Sequence, residues 1–235
     1  MGALRAVALA VALGVALAVV LSHTAAHRGP TFASTLDDPA VRAAFEALNR
    51  YRAESGVPPV EFIQLETPLF RVEYIYNHRH MSHYDEEGRH PIYYYTLLDG
   101  GAHAAEENLG LCVNCGRDVS KVAERLVYKM VYDDALSGWG HRDSLLDPCN
   151  NRASIAVAWD SYNFYIAVYM VAVGADWIEP PRYYNGTFSF RGYVYLPPRG
   201  DFYRIFIYRD VPTLANYHIR HSYSLGEPYA AVLPP

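Results

Sequence analysis

The stretch SIAVAWDSYNFYIAVYMVAV, residues 154–173, reads as two strands joined by a turn. Ser154–Trp159 and Phe164–Val173 are rich in β-branched and aromatic residues, and Asp160-Ser161-Tyr162-Asn163 between them are turn formers. The spacing predicts a β-hairpin. Upstream, apolar residues recur at helical intervals.

Asp38 followed by Pro39 is a helix start, an N-cap with proline at the first helical position. Val41, Phe45, Leu48 and Tyr51 follow at helical spacing until Ser55-Gly56 ends the run. Thr67-Pro68 opens a second helix, whose stripe of Leu69, Val72 and Tyr76 extends to His80 and His83. Asp85 to Pro91 is expected to be loop, broken by Gly88 and Pro91. Asp118 caps a third helix with Val119, Val122, Leu126 and Met130 facing inward. Continuing that stripe reaches Asp133 and Asp134, and carboxylates on a buried face require a cation, a hydrogen-bond network or a wet cleft. Helices first and paired strands later define an α+β chain.

After Trp177 the composition changes. Pro180-Pro181 and Pro197-Pro198 bracket a strand-like Thr187–Tyr195, and another such run, Phe202–Tyr208, is interrupted by Arg204. Residues 176–235 are therefore expected to form a small β-rich extension of a main domain at 37–175. Asn185-Gly186-Thr187 is both a glycosylation sequon and a turn signal. Tyr183, Tyr184, Tyr193 and Tyr195 would give the extension an aromatic surface. At the other end, Arg5, the uncharged run Ala6–Leu21 and the small residues Thr24, Ala25 and Ala26 describe a secretory signal over 1–27, or an uncleaved anchor, before a polar spacer at 28–36. Either reading places the rest of the chain outside the cytoplasm, secreted or held to the outer face of the membrane by residues 6–21. The formal charge of −5 gives no basic patch for nucleic acid.

Cys112, Cys115 and Cys149 are the cysteines. No second CxxC completes a zinc site, and Cys112-x-x-Cys115 is expected in a loop rather than opening a helix as a redox motif does. In an oxidising compartment the expected pairing joins one of these two sulfurs to Cys149.

Three segments carry the functional signal: Ser82-His83-Tyr84-Asp85 through Gly88-Arg89; Glu106-Glu107-Asn108-Leu109-Gly110; and Gly140-His141-Arg142-Asp143-Ser144-Leu145-Leu146. In order and spacing they resemble the CAP superfamily of cysteine-rich secretory, antigen 5 and pathogenesis-related proteins (the SCP-like extracellular domain), and its prokaryotic members in particular. The resemblance implies a three-layer α/β/α sandwich and a central cleft built from His83, Glu107 and His141, which in several members takes up zinc or another divalent cation. Glu106 stands where the family has glycine, and the family's second cleft acid has no clean match; Asp133 or Asp134 could supply it. His78, His80 and His103 are read as incidental. Ser82 and Ser144 lack the partners of a nucleophile. The function expected is an extracellular binding or interaction module for a cation, a small ligand, a peptide or a cell-surface component. The alternative is a metal-dependent hydrolase of peptides or cell-envelope polymers, with His83 and His141 holding zinc and Glu107 or an aspartate as general base.

Overall fold

Four hydrogen-bonded strands and a short fifth form the frame on which the motif residues are hung. The computed structural model describes residues 29–101, 103–195, 205–209, 211–219, 223 and 225–232. Residues 1–27, read above as a signal or anchor, lie outside the described residues. So do Pro197-Pro198 and Phe202–Arg204. Among the described residues no helix is long and apolar enough to cross a membrane.

The elements in chain order are β1 (Thr31–Ala33), α1 (Pro39–Glu54), β2 (Glu61–Phe62), α2 (Thr67–His78), α3 (Pro91–Asp99), β3 (Ala104–Val113), α4 (Val119–Tyr132), α5 (Gly140–Leu145), β4 (Arg152–Trp159), β5 (Asn163–Ala172), β6 (Ala175–Tyr184), β7 (Thr187–Val194), β8 (Ile205–Ile207) and β9 (Ala230–Val232). The protein is thus a mixed α+β chain. The main sheet runs β1-β4-β5-β3, with β2 joined in parallel to the start of β4. The β4–β5 hairpin turns at Asp160, whose Oδ1 accepts from the amides of Tyr162 and Asn163, both at 2.7 Å.

Because successive strand residues point to opposite faces, the hairpin feeds two cores. Ile155, Val157, Ile166 and Val168 pack with α1 and α4, while Ala156, Ala158, Tyr165 and Ala167 pack with Val72, Ile75 and Tyr76 of α2. Gly110 lets α4 lie close to β3: a Cβ there would stand 2.9 Å from Met130 Cε and 2.8 Å from Ile166 Cγ2.

The helix starts follow the sequence. Asp38 Oδ1 accepts from the Ala40 and Val41 amides, and Asp118 Oδ1 from that of Lys121. At other places the chain departs from expectation. The second helix stops at His78, with Arg79 left-handed (φ 53°), so His80 and His83 belong to the following loop. Pro91 begins α3 rather than only ending a loop, with His90 as N-cap. Pro180-Pro181 lie inside β6, which tolerates them because among the described residues it pairs on one side only and shifts register between Trp177 and Arg182. Asn185 and Gly186, both at positive φ, make the tight turn to β7.

The cysteine expectation is corrected. Cys112 is bonded to Cys115, and Cys149 is free and exposed. Cys112 closes β3 opposite Phe164, whereas Arg152, just after Cys149, stands opposite Val171. Those rungs are about 23 Å apart along the strand, and a disulfide spans roughly 7 Å between Cα atoms at most.

Arg52 fixes the segment that follows α5. It is fully buried in α1 and donates to the carbonyls of Pro58 (2.8 Å), Leu145 (2.6 Å), Asp147 (3.2 Å) and Asn150 (2.9 Å). Arg52→Met, which would strand these acceptors, is expected to cost about 3 kcal/mol or more of stability. Arg52→Lys should recover less than half of that, because an ammonium lacks the planar fork. Denaturant midpoints check this; a loss below about 1 kcal/mol for the methionine variant would show that the clamp is dispensable.

Candidate functional site

β3 is the end strand of the main sheet, and its side chains alternate between the two helical faces. Glu107 therefore points towards α2, and Asn108 towards α5. A cavity of about 550 Å³ runs along this edge, between the loop after α2 and the start of α5, and both His83 and His141 line it.

On the α2 side Glu107 is the hub. Arg71 Nε donates to its Oε2 at 2.7 Å and Arg71 Nη2 to its Oε1 at 3.3 Å. The hydroxyl of Tyr169, its cross-strand neighbour, donates to Oε2 at 2.6 Å. His83 Nδ1 lies 2.9 Å from Oε1. Arg71 and Glu107 are wholly shielded from solvent, whereas the His83 side chain keeps 12% of its exposure. Burial works against the Glu107 carboxylate, but the Arg71 charge and the His83 hydrogen bond outweigh it and hold its pKa at about 2. Burial and the adjacent Glu107 charge push the Tyr169 phenol far up, so it stays a donor. The same Arg71 ties the loop in place, donating from Nη2 to the carbonyls of Ser82 (2.9 Å) and His83 (3.2 Å).

The α5 side repeats the theme with backbone donors. Asp134 Oδ1 lies 2.7 Å from His141 Nδ1, and its Oδ2 accepts from the amides of His141 (2.9 Å) and Arg142 (3.2 Å). The carboxylate thus orients the imidazole and caps the short helix that carries it. Burial opposes its charge, but the hydrogen bond from His141 and those from Ser137 and the Arg142 amide hold its pKa below the usual aspartate value. Of the two aspartates considered, Asp134 reaches the site. Asp133 lies outside it, pairing at 3.5 Å with exposed Lys129. Between the two halves Asn108 Nδ2 donates to Ser144 Oγ at 2.9 Å, and Glu106, Asp143 and Asp147 add acid to the wall.

Both imidazoles thus line the cavity with Nδ1 engaged by a carboxylate. Sequence reasoning missed Arg71, Tyr169 and Tyr223. The signal for Arg71 was a cation beside the apolar stripe of α2; its partner, thirty-six residues on, is set only by the fold. Ser82 Oγ and Ser144 Oγ are engaged with Ile219 O and Asn108, not with an imidazole. His103 stacks loosely on Trp177 at 6.3 Å. Arg71 Nη1 and His90 Nε2 are buried donors without a partner among the described residues.

No family model matches the sequence, and no curated protein matches it. Among solved structures, the CAP domain of Enterococcal PrgA is similar with a TM-score of 0.41 and 15% identity, over 56% of this chain and 59% of that one. This chain therefore spans less than two thirds of that neighbour's length.

The buried titratable groups set a pH dependence. Burial lowers the His90 pKa from 6.5 to about 4, with the charges of His83 and Arg71 adding to the effect and that of Glu107 opposing it. A base held neutral in the folded state stabilises least where the unfolded chain protonates, so stability falls as pH drops from 6.5 towards 4, by roughly 3 kcal/mol from this group. Glu107, whose pKa is depressed, adds a second loss as pH falls from about 4.5 to 2. His90→Asn keeps an N-cap acceptor for Ile92 but cannot titrate. Melting temperature against pH should be flatter between pH 6.5 and 4 in this variant, with the steeper loss below 4.5 retained; an unchanged slope would refute the assignment.

Proposed function

We propose that this chain is an exported, CAP-type domain of three α/β/α layers whose cleft binds ligands without turning them over. The three motif segments in CAP order, and helices on both faces of the hairpin, support the family reading. The export reading rests on Arg5 and the apolar run Ala6–Leu21.

One observation carries the binding reading: two histidines, each held by a carboxylate on Nδ1, line one acid-walled cavity. A carboxylate on one ring nitrogen makes the other a better ligand or hydrogen-bond partner. The donor set suits an exchangeable divalent cation or a polar ligand, and does not complete a resident zinc centre. Zinc sites need three protein ligands even when catalytic. Glu107 is saturated by Arg71, Tyr169 and His83, and Asp134 by His141 and two amides. Among the described residues no three His, Cys, Asp or Glu are grouped to hold an ion.

The same saturation disfavours the hydrolase alternative. A general base works best with a pKa near the operating pH, and Glu107 at about 2 is far below it. Its chemistry here is to orient His83.

Isothermal titration with zinc ions tests this. Wild-type protein should bind one ion reversibly, with a Kd weaker than about 1 µM, and His83→Ala and His141→Ala should each weaken it by about tenfold or more. Casein and peptidoglycan should not be turned over. Turnover abolished by both substitutions would establish the hydrolase instead, and histidine variants that bind zinc like wild type would separate the two rings from any common ligand.

A further inference from the structure

The cavity is walled on one side by main chain. In an antiparallel ladder alternate residues turn their N–H and C=O away from the partner strand. The bond from Asn114 N to Tyr162 O (2.6 Å) sets the phase of the β3–β5 ladder. By that phase, Ala105, Glu107 and Leu109 direct their main-chain groups outward from the free edge, and all three line the cavity. An open edge of this kind accepts an extended peptide as an added strand.

One of those outward groups is already taken. The Glu107 amide donates to the hydroxyl of Tyr223 at 2.8 Å. The Tyr223 ring lies 4.7 Å from that of His83, tilted by 60°, and 4.3 Å from that of His90, edge on at 78°. The chain before it is strapped to the loop that carries His83. Ser82 Oγ donates to Ile219 O at 2.7 Å, Asn216 Nδ2 donates to Gly88 O at 3.2 Å, and the Tyr217 ring stacks on His80 at 3.8 Å. Gly88, at φ 74°, makes room for this: a Cβ there would fall 1.8 Å from Thr213 O. The strap is lightly seated, since Leu214 on one side of it and Leu225 on the other are 72% and 46% exposed.

We propose that the cleft receives a tyrosine-bearing peptide beside the free edge of β3, and that Tyr223, which reaches that edge through its hydroxyl, occupies the anchor position in cis. The proposal rests on the binding reading above and names its ligand class. Tyr223 is the anchor: its phenol satisfies an edge amide that would otherwise face solvent, and its ring fills the aromatic end of the cavity between His83 and His90. Beyond it the cavity continues towards His141, past Glu106, Asp143 and Asp147. That acidic wall favours a basic residue in the peptide near the anchoring tyrosine. The strap therefore competes with peptides in trans, and its release opens the site.

The test uses the full chain, a fluorescein-labelled peptide of residues 213–226, and fluorescence anisotropy. Tyr223→Ala should bind the peptide at least about tenfold more tightly than wild type, because the internal competitor is gone. Asn216→Ala, which loosens the strap without touching the cavity, should bind with intermediate affinity. The same peptide carrying Tyr223→Ala should lose binding. Equal affinity for wild type and Tyr223→Ala, no binding to either, or undiminished binding of the tyrosine-less peptide overturns the proposal. Zinc titration of Tyr223→Ala separates the two levels. Zinc bound through His83 and His141 without peptide binding sinks the peptide proposal alone, whereas loss of both with an unchanged circular dichroism spectrum sinks the binding reading as well.

Discussion

Arg71 and Glu107 are both completely withdrawn from water, and an unpaired charge in either position would cost several kcal/mol. Each is tolerable only because the other is there, so the pair fixes the distance between α2 and the edge strand β3. The site then follows from this constraint. Oε1 of Glu107 is left facing His83, the second guanidinium nitrogen reaches back to the carbonyls of Ser82 and His83, and Tyr169 closes the remaining lone pair. A carboxylate bound in this way is an orienting group. Its contacts with Arg71, Tyr169 and His83 favour the charged form against the cost of burial and place a negative charge behind an imidazole.

The helix starts at Asp38 and Asp118 and the hairpin at Asp160 could be read from the sequence, because each depends on residues a few positions apart. His83, Glu107 and His141 could be singled out because short motifs carry them. The errors share a cause. The end of α2 at His78 depends on Arg79 adopting a left-handed turn, which lets the next segment curve over the cavity; the apolar stripe alone would have run on through His83. β3 carries charged and small residues, Glu106, Glu107, Asn108 and Gly110, that mask a strand until β5 is placed beside it. The cysteine pairing failed on distance along the sheet. Arg71 and Tyr223 are contacts between parts of the chain that no local pattern connects.

The two histidine pairs are not equivalent, and the difference gives the cleft a direction. His83 backs onto a carboxylate whose charge is matched by Arg71, so that side of the cavity is close to neutral and lined by the rings of His83 and Tyr223. His141 backs onto a carboxylate held by backbone amides, which donate dipoles but no full charge, and Glu106, Asp143 and Asp147 stand nearby. Uncompensated acid is therefore concentrated on the α5 side of the cavity rather than on the α2 side. A symmetric ligand gains nothing from such an asymmetry. A ligand with an aromatic group at one end and a positive charge at the other is aligned by it before any hydrogen bond forms, and the outward amides and carbonyls of β3 would then set its register. If the cleft binds such a ligand, Arg71 would set its direction, because it neutralises one histidine's carboxylate partner and not the other's.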